Sequence, residues 1–264
     1  MYLCERTLVT GNLLKTYITG GILFRVMRTP KSATAVLIKV FGVWAFIVYS
    51  VVYILTLNDP VSHAVMGMAG GLAVLWIVIG GATMFKVRDR VKSFVRGISW
   101  GWKKKFVLFA TVLALTEEAI ATTMTNLAPL FGVEIGEAYI TASTNYLDVV
   151  LFHSAIVFIP MFVAWAFLLS RYDFSPTEVF ILFGLTGVLA EAGSFGLQNL
   201  GSAGFWVFVY GLMVYLPAYS IPERDVKKPR LRHYFLAIFL PFIFVIPVAF
   251  VVHLVHPTQI HFES

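Results

Sequence analysis

The chain has 264 residues, of which 59% are hydrophobic and only 13% are charged, and its mean hydropathy is +0.83. Soluble domains carry about 25% charged residues, so this composition excludes a soluble globular protein and indicates an integral membrane protein. The one cysteine, Cys4, excludes an internal disulfide framework and a zinc cluster built on cysteines.

The first 39 residues mix apolar positions with scattered basic side chains, which is typical of an amphipathic segment that lies on a membrane surface. We therefore predict three parts along the chain. Residues 1–39 form this segment on the cytoplasmic side, residues 40–255 form a transmembrane domain, and residues 256–264 form an exterior tail.

Within the transmembrane domain, seven apolar stretches are each long enough to cross the hydrocarbon core of a bilayer as a helix. They cover residues 40–57, 64–84, 106–126, 148–170, 177–197, 202–221 and 234–255. The predicted fold is therefore all-α, a polytopic bundle of seven transmembrane helices. Kinks are expected at the prolines inside these stretches, Pro160, Pro217, Pro241 and Pro247.

The basic residues predict how this bundle is oriented. If the N-terminus is cytoplasmic, residues 1–39, 85–105, 171–176 and 222–233 face the cytoplasm, and together they hold all 20 Lys and Arg residues. This asymmetry follows the positive-inside rule and places the C-terminus outside the cell. The net charge of +6 then reflects topology in the plasma membrane and attraction to anionic lipid at its cytoplasmic face, rather than nucleic-acid binding.

The third predicted span carries two adjacent carboxylates, Glu117 and Glu118, at its midpoint. An acidic side chain at bilayer depth costs about 2.5–3.5 kcal/mol on insertion scales, so it needs a partner, a cavity or a proton. Neighbouring residues of a helix point about 100° apart, so the two glutamates cannot face one small site equally, and Glu117 is the one that could instead pair with another helix or be neutral.

The fifth predicted span repeats part of this pattern. EAIATTMTNL, which begins at Glu118, aligns without gaps with EAGSFGLQNL, which begins at Glu191, at an offset of 73 residues. A parallel internal repeat, as in some transporter folds, would account for this match, and chance similarity is the alternative. Because both spans run from the cytoplasm outward, the two glutamates are expected at similar depths.

A histidine in the fourth predicted span, His153, is expected near the level of these glutamates. This predicts one site in the outer half of the bilayer that binds a proton or an ion. Its predicted residues are Glu118, Glu191, His153, Thr122, Asn126 and Asn199. Because carboxylate and imidazole groups are also zinc ligands, Glu118, Glu191 and His153 are the candidate ligands for a divalent metal such as zinc.

Other polar residues near the exterior receive a plainer interpretation. Asp148 lies where the fourth span begins and is interpreted as a helix cap. His253 and His256 have a helical spacing that suits a metal, but with His261 they are interpreted as part of a flexible tail.

Glu117-Glu118 in one span and Phe152-His153 in the next resemble the intramembrane CAAX-protease and bacteriocin-processing family. The motifs of that family are Glu-Glu-x-x-x-Arg and Phe-x-x-x-His. This chain has Thr122 where the arginine belongs and Val149 where the phenylalanine belongs, and a third motif, His-x-x-x-Asn/Asp, is absent from the fifth and sixth spans. The resemblance implies hydrolysis, with Glu117 or Glu118 as general base and His153 as ligand or acid.

Three functions remain open on these residues alone. The first is transport, with the buried glutamates binding an ion or a proton. The second is a membrane-embedded hydrolase, whose catalytic residues would be Glu117, Glu118 and His153. The third is a structural or assembly subunit, in which the polar side chains hold helices together by hydrogen bonds.

Overall fold

The computed structural model describes residues 30–257 and 262, and these residues form helices joined by short loops, without a β-strand. The chain divides into two compact units, residues 1–39 and residues 40–264. Most of the predicted surface segment at residues 1–39, and most of the predicted tail at 256–264, lie outside the described residues. The site discussed below belongs to the second unit.

Seven principal helices run through the described residues, and a short helical element precedes two of them. They are α1 (Pro30–Leu55), α2 (Pro60–Gly97), α3 (Trp102–Asn126), α4 (Ala155–Leu169), α5 (Pro176–Phe195), α6 (Ala203–Ser220) and α7 (Leu231–Val255). A helical segment, Tyr146–His153, precedes α4, and a 3₁₀ turn, Leu197–Ser202, precedes α6.

Six of these helices are long and apolar enough to cross a membrane, and the number rises to seven if the segment before α4 and α4 itself form one span. The sequence prediction of an all-helical, multi-pass membrane architecture is therefore confirmed at this level. The prediction of seven spans with a cytoplasmic N-terminus is more specific and stays a prediction.

Local signals explain where two of the helices begin. Asp59 caps α2, because its side chain accepts a hydrogen bond from the backbone N–H of Ser62, and Pro60 follows at the first helical position. The hydrogen bonds from Ser62 also hold the pKa of Asp59 below its ordinary value. At α5, Ser175 and Glu178 form a reciprocal capping box.

Two helix boundaries lie especially far from the predicted spans. α1 begins at Pro30 rather than at residue 40, as a proline in the first turn of a helix readily allows. α2 continues through the basic run to Gly97 rather than ending at residue 84. Met84 and Val95 are buried in that last part, so the basic run keeps an apolar face that packs against the bundle.

The fourth predicted span is broken rather than continuous. Residues Val149–His153 form a π-helical turn, and Ser154 has non-helical backbone angles (φ −130°, ψ −76°). The segment Tyr146–His153 is therefore bent by 45° relative to α4. The prolines predicted to kink helices lie inside α4, α6 and α7, but this bend precedes Pro160 by six residues and is centred on Ser154.

The core of the bundle is the contact between α5 and α6, where glycines bring the two backbones together. A Cβ atom added to Gly184 would lie 2.6 Å from the carbonyl oxygen of Val207, and Gly187 faces the ring of Tyr210. Thr186, which is fully buried, donates a hydrogen bond of 3.0 Å to the carbonyl oxygen of Ile238 and so ties α5 to α7. The α5–α6 contact is therefore one of close backbone approach.

We predict that Gly184→Ala lowers the free energy of unfolding by about 1–3 kcal/mol, because its methyl group would push against backbone atoms of α6 that cannot rotate away. Gly193→Ala in the same helix is the matched control, since a Cβ there meets no atom within 4 Å. The measurement is unfolding in mixed micelles, followed by circular dichroism. Equal stability of the two variants would show that the helices are not closely packed at Gly184.

Candidate functional site

A cavity of about 350 Å³ lies between helices α1 to α6. Most of its wall is aliphatic or aromatic, and the polar groups come mainly from α3, the bend before α4, α5 and α6. The polar side chains are Tyr49, Glu117, Glu118, Thr141, His153, Ser154, Glu191, Asn199, Ser202, Trp206 and Tyr210. An apolar cavity with a few converging polar groups is the usual form of a small-molecule or cofactor site.

Both glutamates of α3 line this cavity. Glu117 is 4% exposed and Glu118 is 9% exposed, so both carboxyls are withdrawn from the surface. Both glutamates can line it because the cavity is wide enough to be bordered by two adjacent positions of one helix. Glu117 and Glu118 therefore belong to the same site.

Glu191 reaches the cavity from α5, where it is partly buried. The hydroxyl of Tyr210, on α6, donates a hydrogen bond to a carboxyl oxygen of Glu191. Sequence reasoning did not select Tyr210. The sequence did carry a signal for this contact. Because α5 and α6 are consecutive antiparallel helices, Tyr210 and Glu191 are expected at similar depths.

Ser154 connects the cavity to the bend before α4. Its hydroxyl donates a hydrogen bond of 3.3 Å to the carbonyl oxygen of Val149 and lies near the carboxyl of Glu118. Ser154 is 7% exposed. The break in the helix therefore places a hydroxyl group beside a buried carboxyl, which a straight helix would not do at this position.

The three glutamates interact with one another electrostatically. Glu117 interacts with Glu118 and Glu191, and Glu118 also interacts with Glu191. No lysine or arginine is among the residues that line the cavity, and no ion pair within the described residues includes one of these glutamates. Buried like charges without a cationic side chain must be neutralised by protons or by a bound cation.

His153 also lines the cavity, and it lies beside Asp148. Nε2 of His153 lies 3.6 Å from one oxygen of Asp148, and Nε2 of His256 lies 3.3 Å from the other. The predicted metal ligands Glu118, Glu191 and His153 are not brought together as a group. The ligand-type residues that do converge in the described chain are Asp148, His153 and His256.

This convergence corrects the interpretation of two residues. Asp148 is not the cap of the fourth span, because Asn145 accepts the capping hydrogen bond from the backbone N–H of Leu147. His256 belongs with Asp148 and His153 and lies just past the end of α7. The predicted topology already placed these residues on one side of the membrane, since the fourth span begins and the seventh span ends on the same predicted side.

The remaining predicted site residues are divided between the cavity and its surroundings. Asn199 lines the cavity, whereas Thr122 and Asn126 do not. Thr122 is buried within the bundle, and its hydroxyl has no hydrogen-bond partner in the described part of the chain. Asn126 instead donates hydrogen bonds to the carbonyl oxygens of Thr122 and Thr144.

The loop between α3 and the bend completes the wall of the cavity. Ile140, Thr141 and Ala142 line it. Thr125, in the last turn of α3, accepts hydrogen bonds from the hydroxyl of Thr141 at 2.9 Å and from the backbone N–H of Ile140 at 3.2 Å. This loop is therefore fixed to the end of α3 and closes the cavity on that side.

The two segments that align in the sequence have different structures. The residues after Glu118 continue α3 to Asn126. After Glu191, the helix ends at Phe195, because Gly196 adopts a positive φ of 100°, and Asn199 then lies in a 3₁₀ turn. The match is thus not accompanied by a shared local structure beyond the first turn.

Comparison of the chain with protein-family models, with curated proteins and with solved structures finds no match in any of the three. The function must therefore be inferred from the chemistry of the cavity.

A double-mutant cycle tests the hydrogen bond between α5 and α6. We predict that Tyr210→Phe and Glu191→Gln are coupled by about 1–3 kcal/mol in the free energy of unfolding, because each variant alone disrupts the same buried hydrogen bond. The cycle is measured by unfolding in mixed micelles. Tyr210→Phe combined with Glu134→Gln, in the exposed loop, is the control pair and should be additive. Additivity in both pairs would contradict the contact.

Proposed function

We propose that this protein binds a proton or a small cation at Glu117, Glu118 and Glu191, and that this cavity is the binding site of a membrane transporter. The observation that carries the proposal is that three carboxyl groups from two helices line one cavity whose lining contains no lysine or arginine. The imidazole in that lining, His153, lies beside the carboxylate of Asp148, so the three glutamates need an exchangeable species to balance their charge.

The magnitude of the repulsion supports this argument. Two carboxylates about 5 Å apart repel by about 3 kcal/mol at an effective dielectric constant of about 20, and burial adds a desolvation cost for each of them. The fully ionised cluster is therefore unstable without a cation, whereas the protonated cluster is close to neutral. A site of this kind binds or releases a proton or a cation whenever access to it changes.

The size and walls of the cavity are also consistent with a transported species. A volume of about 350 Å³ exceeds what a bare ion needs and is sufficient for an ion with several water molecules or for a small organic amine. The apolar residues around the carboxyl groups exclude bulk water and strengthen electrostatic attraction to a bound cation.

Infrared spectroscopy tests the proposal directly. The purified protein in lipid vesicles should show a protonated-carboxyl band that diminishes as the pH is raised, and Glu118→Gln and Glu191→Gln should each remove part of it. Glu134→Gln, an exposed carboxyl outside the cavity, should leave the band unchanged. Loss of the band when a cation is added at constant pH would identify a cation that displaces protons.

Flux measurements test the transport part of the proposal. Vesicles that contain the protein and an internal pH dye should equalise an imposed proton or cation gradient faster than empty vesicles, and Glu118→Gln should reduce the rate at least about tenfold. A band that none of the glutamate variants alters, together with a flux equal to that of empty vesicles, would overturn the proposal and favour a structural or assembly subunit.

Hydrolysis is the second candidate function, and a specific contact favours it. Glu118 interacts with the hydroxyl of Ser154, directly after His153, and all three residues line the cavity. A general base next to a hydroxyl group and an imidazole is suited to activating a nucleophile. Turnover of a fluorogenic amphiphilic ester or peptide that is lost in Glu118→Gln would favour hydrolysis, since a protein that only binds cations has no such activity to lose.

The orientation in the membrane belongs to the same proposal. The charge distribution supports a cytoplasmic N-terminus, an exterior C-terminus and location in the plasma membrane, with the basic segments 85–105 and 222–233 facing anionic lipid. The carboxyl cluster would then lie toward the exterior half of the membrane. No role in nucleic-acid binding is part of this proposal, because topology accounts for the basic residues.

Cysteine labelling tests this orientation. In a Cys4→Ser background, Glu134→Cys should react with a membrane-impermeant maleimide on intact cells, because the loop after α3 is expected outside. Ser93→Cys, which lies in the basic part of α2, should react only after the cells are permeabilised. Both positions are exposed, so burial does not explain a difference between them. The opposite pattern would reverse the proposed topology.

A further inference from the structure

We propose that Asp148, His153 and His256 form a binding site for a divalent transition-metal ion, with zinc as the best-matched metal, at the wall of the cavity. One carboxylate oxygen and two imidazole nitrogens from these residues all lie within 4.8 Å of one another. The three residues come from two separate parts of the chain, the turn before α4 and the end of α7.

The π-helical turn explains how two of the ligands share a face. In an α-helix, residues five positions apart point about 140° away from each other. The wider turn at Val149–His153 brings residues five apart close to the same side, so Asp148 and His153 face each other. A single wide turn inside a helix frequently marks a functional site.

The distances fit ligands that surround an ion. In a tetrahedral zinc site, bonds of about 2.0–2.1 Å place neighbouring ligand atoms about 3.3 Å apart. The two Nε2 atoms lie 3.6 Å and 3.3 Å from the oxygens of Asp148. A charge-assisted hydrogen bond between histidine and aspartate would be shorter, at about 2.7–2.9 Å. The spacing is thus longer than a hydrogen bond and matches the separation of ligand atoms around an ion, although it also lies within the range of an ion pair.

Aromatic packing holds His256, just past the end of α7, in place. The ring of His256 stacks on Phe152, with 4.4 Å between ring centroids and 21° between ring planes, and it meets the ring of His153 at 5.1 Å. The side chains of Asp148, His153 and His256 are only 16–20% exposed. Partial burial with fixed rings reduces the conformational entropy that metal binding would otherwise have to overcome.

The donor set selects the class of metal. Two imidazole nitrogens and one carboxylate oxygen match the three-ligand pattern of zinc sites that leave a fourth position for water or substrate. Calcium and magnesium prefer oxygen ligands throughout and would bind poorly here. Because His153 also lines the cavity, the ion would lie at its wall and within reach of molecules that enter it.

This site does not depend on the proposed function. Glu117, Glu118 and Glu191 are not members of the group, so a protein that fails to transport can still bind zinc here, and the reverse also holds.

Metal titration tests the site. Protein purified without a polyhistidine tag and freed of metal is titrated with Zn²⁺ against a chromophoric chelator, and we expect one equivalent to bind. Asp148→Asn, His153→Gln and His256→Gln should each weaken binding at least about tenfold. The matched control is His253→Gln, an exposed histidine in the last turn of α7 that is not part of the group. Glu118→Gln should retain full zinc binding.

Each outcome decides the question. Zinc binding that is equally strong in His256→Gln and His253→Gln would overturn the proposal and leave the three residues as an ion-pair cluster. Thermal unfolding without metal checks that each variant is folded. If a ligand variant does not fold, Co²⁺ added to the unaltered protein gives the answer, because a tetrahedral site produces strong visible absorption bands and an octahedral aqueous ion does not. Absence of those bands would also overturn the proposal.

Discussion

Electrostatic imbalance inside the bundle is the constraint on which the proposed function rests. Three carboxyl groups line one largely apolar cavity, and the lysine and arginine residues of the described chain lie elsewhere. Such an arrangement is unfavourable for folding unless protons or cations enter the cavity. A residue that only joined helices could equally be asparagine or glutamine, whose uncharged amide also forms hydrogen bonds. Three acidic groups are therefore better explained by proton or ion binding than by a purely structural role.

The rest of the bundle is arranged so that this cavity can exist. Close packing of α5 on α6 through Gly184 and Gly187 forms a firm core on one side, and Thr186 ties that core to α7. The bend at Ser154 turns the start of the fourth helical segment toward the cavity and away from a straight path. The protein thus combines a tightly packed part with a locally irregular part, and the groups of the proposed site lie where the two meet. Buried polar sites of membrane proteins are commonly found where helices are interrupted.

The sequence was sufficient for the all-helical architecture with several possible membrane spans, and for selecting two of the glutamates that line the cavity. Helix length and hydropathy predict the spans, and the cost of burying a charge is enough to identify Glu118 and Glu191. The grouping of Asp148 with His153 and His256 was missed, because it depends on a π-helical turn that hydropathy does not reveal. Tyr210 was missed although its depth matches that of Glu191, because residue type alone does not distinguish one tyrosine in an aromatic-rich helix. The aligned segments at Glu118 and Glu191 are the opposite case, because two similar sequences have different structures from Gly196 onward.

Because of the loop fixed to the end of α3, the shape of the cavity wall can vary separately from the packing of α5 on α6. These two properties are usually linked in a helical bundle. Ile140, Thr141 and Ala142 form part of the cavity wall and are held through Thr125 and, at Ile140, by contact with an apolar cluster that includes Met68 and Met124. Exchanging Thr141 or Ala142 would reshape the space available to a guest molecule and leave the core between α5 and α6 as it is. Ligand selectivity could therefore change among related proteins through a few loop substitutions, without rearrangement of the helices.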